Sequence, residues 1–174
     1  NGSLFNQQGG TFDNTGSITS YFQIINNGTF VNRGFILNIS GLGGALKNDA
    51  KGTFTNYGNV SNSGLEMDNY GTFNNHGSIV NGEKDAVNAG AFNNNGVLNL
   101  EKQSTLSNLK ADFYNKGTIN SAGNIENEAY FVNSASLNIS ETGEMANQGG
   151  AALINTNMII NYGKLINDSE SSLQ

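Results

Sequence analysis

The chain has 174 residues, with 23 Gly, 32 Asn, no Pro, no Cys and no Trp, and a formal net charge of −6. Eight Lys and Arg in all cannot supply the basic face that nucleic acid requires, and no apolar run approaches the roughly 20 residues of a membrane-spanning helix. Asn and Gly favour turns, while Phe, Ile, Val and Leu recur too steadily for a disordered linker.

Other global features decide little. A chain without cysteine is at home in oxidising and reducing compartments alike. The sequons at Asn1, Asn27, Asn38, Asn59, Asn138 and Asn167 are about what this Asn, Ser and Thr content produces by chance. The N-terminus lacks a basic and apolar signal segment, so the sequence reads as mature or as a fragment.

In chain order, Gly2-Ser3-Leu4-Phe5-Asn6 comes first, and Gly10-Thr11-Phe12-Asp13-Asn14 states the same phrase more fully. It returns as Gly28-Thr29-Phe30-Val31-Asn32, Gly52-Thr53-Phe54-Thr55-Asn56, Gly71-Thr72-Phe73-Asn74-Asn75 and Gly90-Ala91-Phe92-Asn93-Asn94. It decays but persists around Phe113, Phe131 and Leu153. Each copy is followed six residues later by an aliphatic residue: Ile18, Ile36, Val60, Ile79, Leu98, Ile119, Leu137 and Ile159.

The uninterrupted unit is visible in Phe12, Ile18, Ile24 and Phe30, and again in Phe113, Ile119, Ile125 and Phe131. Three six-residue steps bring the chain back to a Phe. One inward residue flanked by outward ones makes a very short strand, because side chains alternate across a strand. Gly and Asn between the strands make corners. The expected fold is therefore all-β: a parallel β-helix, or β-solenoid, with three short strands per rung and eight or nine rungs. Residues 1–174 form a single domain, a rod about 40 Å long at about 4.8 Å per rung. Residues six apart drift around an α-helix instead of forming a stripe, and a β-sandwich needs longer strands joined by hairpins.

In this register Phe12, Phe30, Phe54, Phe73, Phe92, Phe113, Phe131 and Leu153 form one interior column, and the aliphatic series forms a second. Asn14, Asn32, Asn56, Asn75, Asn94, Asn115, Asn133 and Asn155 follow the first column by two residues. They are expected either to link rungs through stacked amides or to supply positive φ at corners.

Rung lengths vary, from 18 residues between Phe12 and Phe30 to 24 between Phe30 and Phe54. The extra residues fall between the second column and the next Phe, at about 42–51, 65–70, 81–89, 99–111 and 139–150. Most of the charge lies there or at the edges, from Lys47, Asp49 and Lys51 to Glu141 and Glu144. Such insertions form either a binding edge or simply the most solvated part of a solenoid. The repeat already runs at Leu4 and Phe5, and Ile159 and Leu165 are still in phase near the other end. These four residues are candidate stacking ends, in a segment of a longer solenoid or in a filament subunit.

The stretch Gly10-Thr11-Phe12-Asp13-Asn14-Thr15-Gly16-Ser17-Ile18 resembles the haemagglutinin-type repeats of large secreted bacterial adhesins, filamentous haemagglutinin and its relatives. The likeness is one of repeat style and covers nearly the whole chain, although Phe is unusually regular here. It implies right-handed coiling, a cell-surface location and no enzymatic activity. The six-residue step is also similar to left-handed hexapeptide-repeat helices, which carry aliphatic residues in place of Phe.

Catalysis finds little footing. The nearest carboxylate pairs are Glu66 with Asp68, Glu83 with Asp85, and Glu126 with Glu128, without a clustered Arg. A calcium ion at Glu83 and Asp85 would lack the spacing of a dedicated loop. His76 is the single histidine, in a corner column with Thr15, Arg33, Tyr57, Asn95 and Lys116. In the Thr11, Thr29, Thr53 and Thr72 ladder only Thr53, with Thr55, has the paired threonine of a flat ice-binding array; elsewhere the partner is Asp13, Val31 or Asn74. No catalytic, cofactor-binding or metal residues are assigned.

The expected function is a structural extracellular protein that stacks into a fibre, filament or sheath at the cell surface. Its expected partners are copies of itself or further repeats, and a glycan or neighbouring cell surface. The alternative is a monomeric adhesin module using its insertion edge. A polysaccharide-active β-helix enzyme is the third reading.

Overall fold

The computed structural model describes residues 3–39, 44–63, 66–82 and 85–174. Glu83 and Lys84 lie outside the described residues, as do Asn1, Gly2 and parts of the 42–51 and 65–70 segments. The chain winds through short strands that build three parallel sheets, of nine, nine and eight strands among the described residues. Each strand pairs with the strand three elements away in sequence, so successive elements belong to successive sheets. A rung is one circuit of three strands, as the repeat predicts.

The phenylalanine sheet runs from Thr11–Asn14 to Ser172–Leu173, and its register places Phe on Phe from Phe12 to Phe131, then Leu153. The rings stack with centroids 4.7–4.9 Å apart and planes within 25° of parallel. Phe30, Phe54, Phe73, Phe92, Phe113 and Phe131 are buried completely or nearly so. Each contributes about 1.5–3 kcal/mol through burial and about 0.5–1.5 kcal/mol more through ring contact. The isoleucine sheet, from Ser17–Ser20 to Met158–Asn161, stacks Ile18, Ile36, Val60, Ile79, Leu98, Ile119, Leu137 and Ile159 in the same way.

The third sheet, from Leu4–Asn6 to Lys164–Asn167, corrects the sequence-based view of the insertions. Its inward residues include Ile24, Leu46, Met67, Ala86, Leu106, Ile125 and Met145. Leu46, Met67, Ala86 and Leu106 thus belong to core strands and not to extra loops. The added residues are confined to the two corners that flank this sheet.

The asparagines form two long ladders. On the phenylalanine side each amide donates to the next, from Asn14 through Asn32, Asn56, Asn75, Asn94, Asn115 and Asn133 to Asn155, at 2.7–2.9 Å. A second ladder, on the third sheet, links Asn6, Asn26, Asn48, Asn69, Asn88, Asn108, Asn127, Asn147 and Asn167 at 2.7–2.9 Å. Many of these amides also donate to a backbone carbonyl beyond the corner, as Asn75 does to Val97. Among the described residues only Gln103 adopts positive φ without being glycine. The asparagines therefore act through hydrogen bonds, and the positive-φ explanation fails.

The corner between the phenylalanine and isoleucine sheets never varies in length. Most of its rungs place glycine where the space is tightest: a Cβ on Gly58 would collide with the carbonyl oxygen of Gly34, and one on Gly77 with that of Gly58, while Ala135 and Asn157 take the same position on the last two rungs. Backbone there stacks directly on backbone.

Candidate functional site

With the interior committed to stacking, recognition falls to the three outer faces and the corners. The fixed corner carries Thr15, Arg33, Tyr57, His76, Asn95 and Lys116 in line, as the repeat register predicts. The Tyr57 and His76 rings stack at 5.0 Å with planes 11° apart. The Arg33 guanidinium lies 5.2 Å from the Tyr57 ring centre and pairs with Asp13 at 3.3 Å. These groups are exposed, so such pairs contribute little to stability.

The outer face of the third sheet gathers charge. Lys47, Glu66, Asp68, Asp85, Glu126, Glu144 and Lys164 all sit on its strands. Burial raises the Asp68 carboxyl above its ordinary range, the neighbouring Glu66 raises it further, and Lys47 opposes both. Glu126 accepts a hydrogen bond from Ser107 at 3.2 Å. Glu126 lies within its strand and Glu128 at the exposed corner beyond it, so the pair does not share one face. Among the described residues no three His, Cys, Asp or Glu side chains assemble into a metal-binding group.

Two clefts flank this sheet. One, of about 420 Å³, lies where the third sheet turns toward the phenylalanine sheet and includes Asn27, Lys47, Lys51 and Tyr70. There Lys47 sits 5.4 Å from the Tyr70 ring centre and pairs with Asp49 at 3.4 Å. Lys51 donates to Gln8 at 3.2 Å.

The other cleft, of about 370 Å³, runs along the corner between the isoleucine and third sheets. One wall is the outward row Asn99, Asn120 and Asn138. Asn120 Nδ2 donates to Asn99 Oδ1 at 2.9 Å and Asn138 Nδ2 to Asn120 Oδ1 at 2.8 Å. Leu100, Ser121 and Ile139 lie buried beneath this row, and the other side contains Glu101, Ala122, Ser140 and Tyr162.

The sequence offered an interaction edge in this region as one of two readings of the insertions, and missed the cleft itself. Its signal is a shift of Asn by one residue: Asn62 and Asn81 point inward, whereas Leu100 occupies that position one rung later and Asn99 precedes it. The candidate stacking ends divide. Leu4, Ile159 and Leu165 are half-buried against the core in the terminal rungs, whereas Phe5 points outward from its sheet and is 62 % exposed.

No curated protein and no solved structure matches the chain. The haemagglutinin repeat pattern matches residues 1–64, 41–149 and 131–173, spanning almost every rung just described. With three parallel sheets, continuous side-chain columns and this match, the chain belongs to the haemagglutinin repeat family.

Proposed function

We propose that this chain is a rigid segment of a secreted or surface-exposed adhesin, and that rungs of the same kind add at its strand edges to build a fibre. Membership of the haemagglutinin repeat family supports the adhesive role and the location. The observation that carries the fibre is continuity. The stack from Phe12 to Phe131 and the ladder from Asn6 to Asn167 cross the rungs without a break. Nothing in such a stack limits its own length.

Within the chain, the first and last strands of each sheet have one neighbour each. A strand edge of this kind accepts another strand, and head-to-tail addition produces an open filament. The added rungs are either further repeats of one chain or the end of a second copy.

A second reading is favoured by the two clefts beside the third sheet. In it, the solenoid acts as a monomeric adhesin module holding glycan or protein along that edge. Negative-stain imaging of the purified protein separates the two. Filaments with a rung-scale axial repeat are expected; isolated rods about 40 Å long at every concentration would leave the monomeric module.

A further inference from the structure

We propose that the corner cleft formed by Asn99, Asn120, Asn138, Ile139 and Tyr162 is a binding site for a neutral, N-acetylated saccharide. The proposal rests on the adhesin role and assigns a ligand to one of its surfaces.

The cleft arises where the repeat breaks its own rule. In the isoleucine sheet the inward residue at the corner is Asn38, Asn62 and Asn81 on successive rungs, and Asn38 donates to Asn62 and Asn62 to Asn81 at 2.8 Å. On the next three rungs that position holds Leu100, Ser121 and Ile139, all buried. On those same rungs Asn appears one residue earlier, as Asn99, Asn120 and Asn138. Because a strand has a period of two, a one-residue shift turns a side chain to the opposite face. The amide ladder has been turned inside out.

The exchange sacrifices buried hydrogen bonds and leaves a row of amides on the outer face, with Leu100, Ser121 and Ile139 buried beneath it. Departures from a consistent local pattern concentrate at functional sites. The outer ladder also runs with the opposite polarity, its donors lying on the later rung. The last acceptor, Asn138 Oδ1, is consequently buried without a partner. A buried acceptor of this kind calls for a donor from elsewhere.

The chemistry selects the ligand class. Amides repeating about every 4.8 Å along the axis suit a chain of hydroxyl and acetamido groups. An acetamido N–H can satisfy Asn138 Oδ1 while its methyl lies in the groove beside Ala122. Tyr162, 74 % exposed at one end of the cleft, offers an aromatic face to the apolar side of a sugar ring. Ala122 and Ser140 are small enough to leave the groove open. Among the described residues Glu101 is the one charged side chain lining it, which disfavours sulfated or acidic sugars.

The test is calorimetric titration of the purified chain with a chitin disaccharide, a cellulose disaccharide and a sulfated disaccharide. Binding of the chitin disaccharide at least ten-fold tighter than either other sugar is expected. Tyr162→Ala and the groove-filling Ala122→Trp should each weaken it at least ten-fold, whereas Tyr70→Ala in the other cleft and Tyr57→Ala should leave it unchanged. Circular dichroism confirms that each variant is folded, and Asn120→Leu, which keeps the side-chain volume, repeats the test if Ala122→Trp is not. Absence of chitin-disaccharide binding, preference for the sulfated sugar, or loss through Tyr70→Ala but not Tyr162→Ala would overturn the assignment. Imaging of the same preparations reports on rods and filaments independently, so failure here leaves the structural role standing.

Discussion

The two sides of the rung obey different rules. Between the phenylalanine and isoleucine columns the step is six residues every time, from Phe12 to Ile18 through Leu153 to Ile159. Between isoleucine, third-sheet and phenylalanine columns it varies: Ile36 to Leu46 takes ten residues and Ile119 to Ile125 takes six. Close approach is common to all the corners, since a Cβ on Gly71, Gly90 or Gly163 would meet a backbone oxygen just as one on Gly58 or Gly77 would; the difference lies in how the corner backbone is bonded. At the fixed corner both corner N–H groups donate to the Asn carbonyl of the rung before, Tyr57 and Gly58 to Asn32 and His76 and Gly77 to Asn56, so an extra residue breaks these bonds. At the corners flanking the third sheet the chain leaves the ladder at one Asn and rejoins it at the next strand, as from Asn48 to Thr53. Rigidity is localised on one side, and variation on the other.

The comparison can be attacked first at the rigid side's interior. Phe73→Asp buries an unpaired charge between Phe54 and Phe92. Loss of the ring alone costs about 3–5 kcal/mol and the charge adds several more, against a total stability of about 5–15 kcal/mol. The variant is expected to lack the β-sheet circular dichroism of the parent, and a near-native melting temperature would refute the register.

Insertion sharpens it next. Two glycines added after His76 should unfold or severely destabilise the chain, while the same pair added after Lys110 should cost under about 1 kcal/mol, as for lengthening an existing loop. Equal effects in urea titration would erase the distinction between corners.

The ladder gives a smaller effect. Asn75→Ala leaves the Asn94 acceptor without its donor inside the core, while the Asn56 amide keeps the Gly58 and Ser78 carbonyls, at about 1–3 kcal/mol for the orphaned acceptor. A shift of the urea midpoint with unchanged slope measures it.

The smallest effect lies on the third sheet. Asp68 has its carboxyl raised by burial and by Glu66, so its ionised form weighs against folding at neutral pH. That cost is present above the raised value and vanishes as pH falls below the ordinary 3.8. Asp68→Asn should stabilise at pH 7 by less than about 1 kcal/mol, because the group is half exposed. Near pH 3 the two proteins should melt together.

The same asymmetry decided what could be read from the residues alone. The phenylalanine column was legible because one bulky ring recurs beside corners of constant length. The third sheet was not, because Leu46, Met67, Ala86 and Leu106 bring three different side chains to four positions and their flanks vary, so four core strands passed for loops. Asn48, Asn69, Asn88 and Asn108 follow those residues by two positions, yet the ladder they form emerges only once the strands are aligned. The outward Asn99, Asn120 and Asn138 were hidden among the many asparagines of the chain. Their displacement by one residue has meaning only against a known register.

The central claim, that each circuit lays a strand directly on its predecessor, is tested most directly by a disulfide between Thr53→Cys and Thr72→Cys. These positions are register partners on neighbouring rungs of the phenylalanine sheet. Parallel neighbours lie about 4.8 Å apart, within the 4.4–6.8 Å range a disulfide spans. The natural chain has no cysteine to compete. Stacked rungs predict complete intramolecular cross-linking under mild oxidation, with unchanged circular dichroism and none in a Thr53→Cys, Ser78→Cys control. A Thr53–Thr72 pair that stays reduced, or a control that cross-links equally well, would contradict the stack.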